Sequence, residues 1–118
     1  MNVEELREHC ISKTGVTECF PFDDVTLVFK IENKMFALVG LDNTELSINL
    51  KCDPELAIEL RNRYTGVIPG YHMNKKYWNT IIINQINNDF LVKQWIDNSY
   101  DLIIKSLPKK IQLKYNNY

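Results

Sequence analysis

Polar and apolar positions change period several times along the chain, and each change predicts an element. Val3, Leu6, Cys10 and Ile11 recur at helical spacing, which puts them on one face of an α-helix. Asn2 precedes them and Glu5 stands three residues on, the reciprocal pair of a capping box. Gly15 supplies the stop. Residues 17–24 carry no period and read as loop. Within them Phe20-Pro21-Phe22 predicts an extended anchor, because proline cannot donate inside a sheet and two phenylalanines favour burial.

Period two begins at Val25. Val25, Leu27, Phe29 and Ile31 fall on one side, and Thr26, Val28 and Lys30 on the other, as in a half-buried strand. Asn33-Lys34 predicts a tight turn, since Asn tolerates positive φ. Residues 35–39 return as a strand apolar on both faces. Asp42-Asn43 makes the next turn, and Leu46, Ile48 and Leu50 then alternate with Ser47, Asn49 and Lys51. Three strands on short connections predict an antiparallel meander with one dry face and one polar face. Asp53-Pro54 starts a helix, an N-cap acid before proline at the first helical position. Its inner stripe is Leu56, Ala57, Leu60 and Tyr64; Glu55, Glu59 and Arg63 lie outside, and Gly66 ends it.

The stretch from Gly66 to Thr80 is the richest in chemistry. It holds two glycines, a proline, three large aromatics, a histidine, two amides and two lysines, and no acid. Residues 67–73 and 77–84 are predicted to pair as a hairpin with Asn74-Lys75-Lys76 at its tip. Pro69-Gly70 implies a bulge in an edge arm, and Ile81, Ile82 and Ile83 belong in the sheet. Asn88 then caps a helix over 89–107 with Leu91, Val92, Trp95, Ile96, Ser99, Leu102 and Ile103 inside. Lys93/Asp97 and Asp101/Lys105 are spaced for i,i+4 pairs, and Pro108 breaks the helix. Residues 109–118 form a basic, amide-rich tail, read as a short helix or as disorder. The order α-β-β-β-α-β-β-α predicts an α+β two-layer sandwich, a mostly antiparallel sheet with helices on one face, in a single domain over 1–118.

Composition narrows the function. At 118 residues, 45% hydrophobic and 25% charged, the chain is an ordinary globular one. No apolar run approaches the ~20 residues that span a bilayer, and Met1-Asn2-Val3-Glu4-Glu5 is not a signal-type start; a cytoplasmic protein without membrane contact is expected. Cys10, Cys19 and Cys52 are an odd number without paired spacing, so they read as buried thiols, not as disulfides or, with His9 or His72, a zinc site. Asp23-Asp24 and Asp42-Asn43 read as turn formers, not cation ligands. No metal or cofactor is expected.

The net charge of −1 hides a split. Residues 1–59 hold 5 basic and 12 acidic side chains, a net of −7, and residues 60–118 hold 9 and 3, a net of +6. If the basic half gathers on one flank, it makes the electrostatic footprint of a phosphate-backbone binder. Lys75 and Lys76 would touch phosphates. Asn74 and Asn79 would add hydrogen bonds, Tyr71, His72 or Trp78 would meet sugar or base, and Arg61, Arg63, Lys109 and Lys110 would widen the track. Such binding to DNA would be weak and strongly salt-dependent. Two other readings remain open. The aromatic hairpin suits a protein-interaction or homodimer interface. His72 beside Tyr71, Asn74 and Lys75 is the one cluster an enzyme or small-ligand binder could use. Without a nucleophile–base set or a phosphate loop, a non-enzymatic binding module is expected, with the His72 ring nitrogens satisfying backbone groups freed at Pro69-Gly70.

Val28-Phe29-Lys30, Lys34-Met35-Phe36-Ala37-Leu38, the whole run Gly66–Thr80, Trp95-Ile96 and Ser99-Tyr100-Asp101-Leu102 together resemble the MmcQ/YjbR family of small bacterial proteins, in order and over nearly the whole chain. One departure is Tyr77, where members commonly carry His before the Trp. The resemblance implies a two-layer sandwich like the CyaY-like and secretion-chaperone-like folds. It also implies DNA binding, a label resting on a double-wing analogy at the level of fold, not of site.

Overall fold

The computed structural model describes residues 1–115. The chain runs α1 (Val3–Ser12), β1 (Thr17–Cys19), β2 (Thr26–Ile31), β3 (Lys34–Gly40), β4 (Ser47–Lys51), α2 (Pro54–Arg63), β5 (Val67–Pro69), β6 (Trp78–Ile82), α3 (Ile83–Ile86), α4 (Asp89–Ser106) and α5 (Lys109–Gln112). The strands form one antiparallel sheet in the order β1-β2-β3-β4-β6-β5. Alternate strand residues, among them Leu27, Phe29, Ile31, Ala37, Val39, Ile48, Leu50 and Ile81, share one core with Leu6 and Cys10 of α1, Leu60 of α2 and Val92, Trp95, Ile96 and Ile103 of α4. That is the expected α+β two-layer arrangement, and the period-two pattern chooses the buried face.

Most predicted signals act as expected. The Asn2–Glu5 capping box closes α1. Asp53 accepts from the amides of Glu55 and Leu56. Asn88 accepts from Leu91 N–H.

Five details differ. The presumed loop 17–24 contains β1, which pairs with β2, and Phe20 and Phe22 are 48% and 63% exposed, so the expected anchor is not buried. The tight turn is Glu32-Asn33, one residue early, with φ of 49° and 65°, the pair of left-handed residues that a two-residue hairpin needs. The hairpin arms shrink to β5 and β6, and Ile83 opens α3 instead of extending the strand. Asp97 turns to α1, where it meets His9 Nε2 at 2.8 Å and Lys13 Nζ at 3.0 Å instead of Lys93. The expected Asp101–Lys105 pair does not form either. The tail takes the first of its two expected forms, the short helix α5, followed by a turn that places Tyr115 in the core; residues 116–118 lie outside the described residues.

Register changes once inside the meander. Phe29 pairs with Ala37 but Lys30 with Met35, so Phe36 is an extra residue in β3, a β-bulge. The bulge turns Phe36 inward, edge-on to the Tyr100 ring at 5.7 Å. Register also orders the two ends of the sheet. One end carries the β2–β3 turn, Lys51 at the close of β4 and its partner Trp78 at the start of β6. The other carries the loops 20–25 and 41–46, with Asp23, Asp24, Asp42 and Glu45 and no Lys or Arg.

Candidate functional site

The sheet face away from the helices is covered only in part. A small apolar cluster of Val28, Leu38 and Trp78 lies on it, with Cys19, Met35 and Met73 against its sides. Met73 arrives from loop 70–77, which leaves β5 at Gly70, arcs over this outer face and returns to β6. A Cβ on Gly70 would lie 2.7 Å from Trp78 Cβ, so only glycine lets the chain turn this close to β6. Three bonds tie the loop to the sheet, Gly70 N–H to Trp78 O at 2.9 Å, Tyr71 N–H to Thr80 Oγ1 at 3.0 Å and Cys52 N–H to Tyr77 O at 2.7 Å, and Met73 N–H to Gly70 O at 3.3 Å closes the loop on itself. Thr80 Oγ1 in turn donates to Asn49 Oδ1. The backbone groups freed at Pro69-Gly70 are thus satisfied by main chain and Thr80. The His72 ring, expected to serve them, is exposed beside the Tyr71 ring, 4.0 Å between centroids.

The eleven residues singled out in the sequence separate into five groups. Trp78 and Asn79, only 7% and 1% exposed, are framework: the indole fills the outer-face cluster, and Asn79 Nδ2 donates to Ala57 O at 3.3 Å. Arg61 belongs with them. Its Nε donates to Asn79 Oδ1 at 2.6 Å and its Nη2 to Trp78 O at 3.2 Å and to Lys75 O. The guanidinium therefore clamps the loop from α2, using the planar fork that distinguishes arginine from lysine.

Asn74, Lys75 and Lys76 form the exposed tip. Asn74 Oδ1 accepts from Lys76 N–H at 2.9 Å, which fixes the turn. Lys75 Nζ lies 3.5 Å from Gly70 O and Lys76 Nζ 5.4 Å from the Tyr77 ring centroid. Tyr71 and His72 point elsewhere. With Phe22, Asp23, Asp42 and Met73 they wall an outer-face cleft of about 410 Å³ floored by Leu38 and Asn49. Asp23 is held below the usual carboxylate range, chiefly by backbone N–H donation from Val25 and then from Thr26. The cleft is aromatic and acidic, not basic. His72 sits there at φ 59°, a left-handed conformation that costs a non-glycine residue about 1 kcal/mol or more.

Arg63, near the end of α2, faces Glu59 across 4.0 Å of open solvent. Lys109 and Lys110 stand on α5, which the following turn ties to the β2–β3 hairpin through Tyr115 Oη to Glu32 Oε2 at 2.6 Å and Lys114 Nζ to Glu32 Oε1 at 3.8 Å. The tip lysines and the α5 lysines thus lie at the same end of the sheet, the former beside β6 and the latter beside the β2–β3 turn. None of the four forms an ion pair with a described residue. Four carboxylates of the acidic half are committed elsewhere: Glu18 to Arg7 at 2.6 Å, Glu5 and Asp53 to helix caps, and Glu32 to Tyr115 and Lys114. Among the described residues no group of three His, Cys, Asp or Glu could hold a metal ion. No helix among them is long and apolar enough to cross a membrane.

These features define a class: a two-layer α+β protein in which an arginine on the second helix clamps a glycine-started loop over the open sheet face. Residues 11–102 match the family model named YjbR, and the chain belongs to the YjbR family. It is 30% identical over 110 residues to the uncharacterized protein YjbR of Escherichia coli K12, covering 93% of each chain. It is 35% identical over 94 residues to the uncharacterized protein YbdF of Escherichia coli O157:H7, covering 80% of this chain and 77% of that one. The crystal structure of Deinococcus radiodurans protein DR2400 superposes with a TM-score of 0.89 at 35% identity, over 97% of this chain and 87% of that one. A Pseudomonas syringae protein superposes with a TM-score of 0.74 at 27% identity, over 86% and 98%.

Proposed function

We propose that this protein is a non-catalytic binding module for a polyanion, with DNA as the intended class, and that its basic rim does the binding. The observation that carries this reading is the separation of charge. Lys75, Lys76, Lys109 and Lys110 lie unpaired among the described residues at one end of the sheet, and the loops at the opposite end are acidic. A dipolar molecule approaches a phosphate backbone with its basic end first. Trp78, Asn79 and Arg61 take no part in contact on this reading; they hold the tip. Tyr71 and His72, in an acidic cleft, are not phosphate contacts either.

The test is a low-salt titration of duplex DNA against the wild type and Lys75→Glu/Lys76→Glu. Each phosphate contact adds about 0.9 to the slope of log K against log salt, so loss of two contacts lowers it by about 2. Absence of binding by the wild type at low salt, or an unchanged slope in the variant, overturns the proposal. A second reading, a protein partner or second copy on the outer face, is favoured by Phe22 and Tyr71, 63% and 68% exposed across one cleft. Light scattering of the wild type and Tyr71→Ala distinguishes it, because Tyr71 can be truncated without touching the core.

A further inference from the structure

The outer-face cleft joins two kinds of surface that call for one chemical class of ligand. Its walls are aromatic: Phe22 comes from loop 20–25, and Tyr71 and His72 come from loop 70–77. Phe22 and Tyr71 stay 63% and 68% exposed, so apolar ring area is left uncovered within one concavity, as in a binding site. Leu38 and Met73 add apolar lining. At about 410 Å³ the cleft falls within the ~300–1,000 Å³ usual for small-molecule sites.

Its carboxylates face no lysine or arginine. Asp23 and Asp42 line the cleft, and Glu45 lines an adjoining depression that shares Asp42, Ser47 and Tyr71 with it; no Lys or Arg lines either one. Lys30 and Lys51 share this sheet face by alternation with Val28 and Asn49, but each lies two residues nearer the basic end, outside the lining. Lys75, in the same loop as Tyr71, turns to Gly70 O at 3.5 Å. Asp23 is occupied by Val25 and Thr26, so it contributes field more than contact. The Asp42 carboxylate accepts no hydrogen bond and forms no ion pair with a described residue, and Tyr71 Oη has no partner among them either. An anion is repelled here, and a neutral apolar body gains nothing from Asp42. A cation is drawn both by the carboxylates and by the negative faces of the rings. A cation that carries N–H donors gains a charge-assisted bond to Asp42 as well.

We propose that this cleft binds a small primary ammonium ion carried on an apolar or aromatic body, its charged head at Asp42 and its body against Phe22, Tyr71 and Leu38. The site goes beyond the polyanion reading: Lys75, Lys76, Lys109 and Lys110 do not line it, and it selects the opposite sign of charge. It uses the cleft that the second reading gives to a protein, and fills it with a small molecule instead.

Nitrogen-15 NMR of the full chain tests it without DNA, so its failure and the failure of the polyanion reading are separate results. The probe is phenethylamine, with hydrocinnamate as the matched anion and phenethyl alcohol as the matched neutral. Phenethylamine is expected to shift the Tyr71, His72 and Met73 amides saturably, while the Trp95 indole N–H, in the core on the helix side of the sheet, stays fixed. Hydrocinnamate is expected to shift none of them, and the alcohol to bind about tenfold more weakly or less. Asp42→Asn is expected to weaken phenethylamine about tenfold, the factor that one lost charge-assisted contact is worth, and Tyr71→Ala about fivefold through the lost ring face. Both side chains are exposed, so neither variant disturbs the core. No shift of the loop amides up to about 10 mM phenethylamine, equal binding of hydrocinnamate, a shift at Trp95 instead, or an unchanged Kd in Asp42→Asn overturns the proposal. A dimer in light scattering that Tyr71→Ala dissolves and that phenethylamine does not enter gives the cleft to a second copy, and overturns it too.

Discussion

Arg61 Nε meets Asn79 Oδ1 at 2.6 Å, and this contact joins a helix to the strand that carries the loop. Both partners are polar, and Asn79 is fully buried. Asn79 spends its amide nitrogen on Ala57 O and its oxygen on Arg61; the guanidinium Nη2 holds Lys75 O and Trp78 O. Removing Arg61 leaves Asn79 Oδ1 buried without a donor and releases both ends of the tip.

Arg61→Ala is therefore expected to destabilise the fold by about 2–3 kcal/mol, the range for hydrogen bonds to charged groups plus an orphaned buried acceptor. Arg61→Lys keeps the charge but cannot reproduce the fork, so it should recover less than half of that loss. Urea denaturation measures the first effect, and faster amide exchange across 70–77 reports the second. If Arg61→Lys restored full stability, Arg61 would act through its charge and not as a clamp.

Ser99 offers a second core test. Its Oγ donates to Phe36 O at 2.6 Å, the carbonyl of the bulged residue that lacks a strand partner. Ser99→Ala leaves that carbonyl unpaired in the core at a cost of about 1–3 kcal/mol. Ser106→Ala, which removes a bond to Ile103 O within the same helix at an exposed site, should cost less than about 0.5 kcal/mol. Thermal unfolding of the two variants settles the comparison; equal losses would remove the bulge from the explanation.

Local signals were legible from the sequence, and long-range ones were not. The caps Asn2, Asp53 and Asn88 depend on residues two or three positions away, and each acts as expected. The alternation of Leu27, Phe29 and Ile31 selects the dry face because burial enforces period two. Spacing places Ser99 inside its helix, but its partner on β3 lies 63 residues away. The sequence puts Arg61 in the phosphate track because its charge is visible there and Asn79, 18 residues on, is not visibly its partner. Trp78 and Asn79 read as contact residues because aromatics and amides in a glycine-rich run have that composition at surfaces. Register with Lys51 and Leu50 puts them in the sheet interior instead.

His72 tests whether backbone strain in the loop is maintained for a reason. At φ 59° its conformation favours glycine. His72→Gly is expected to leave stability unchanged or raise it by up to about 1 kcal/mol, and His72→Val, β-branched, to lower it by about 1–2 kcal/mol. Denaturation midpoints decide this. A clear loss in the glycine variant would mean that the imidazole itself stabilises the loop.

Cys10 gives the fold a signature in alkali. Burial, and then the nearby Asp97 carboxylate, push its thiol from 9.0 up to about 12. The raised value belongs to the folded state. Below pH 9 both states hold the proton and the stabilisation is fully present. Between about 9 and 12 the unfolded chain loses the proton while the folded chain keeps it, so unfolding is drawn forward and stability falls as pH rises. The urea midpoint should accordingly decline across that window, more steeply in the wild type than in Cys10→Ala, whose own offset from the lost packing is independent of pH. Labelling should agree. At pH 8 the half-buried Cys19 reacts first with a thiol reagent, Cys52 follows more slowly because burial pushes it up to about 11, and Cys10, fully buried, reacts only as fast as the protein opens. Parallel midpoint curves for wild type and Cys10→Ala would show that the thiol titrates alike in both states, and the assignment of the alkaline limb to Cys10 would fail.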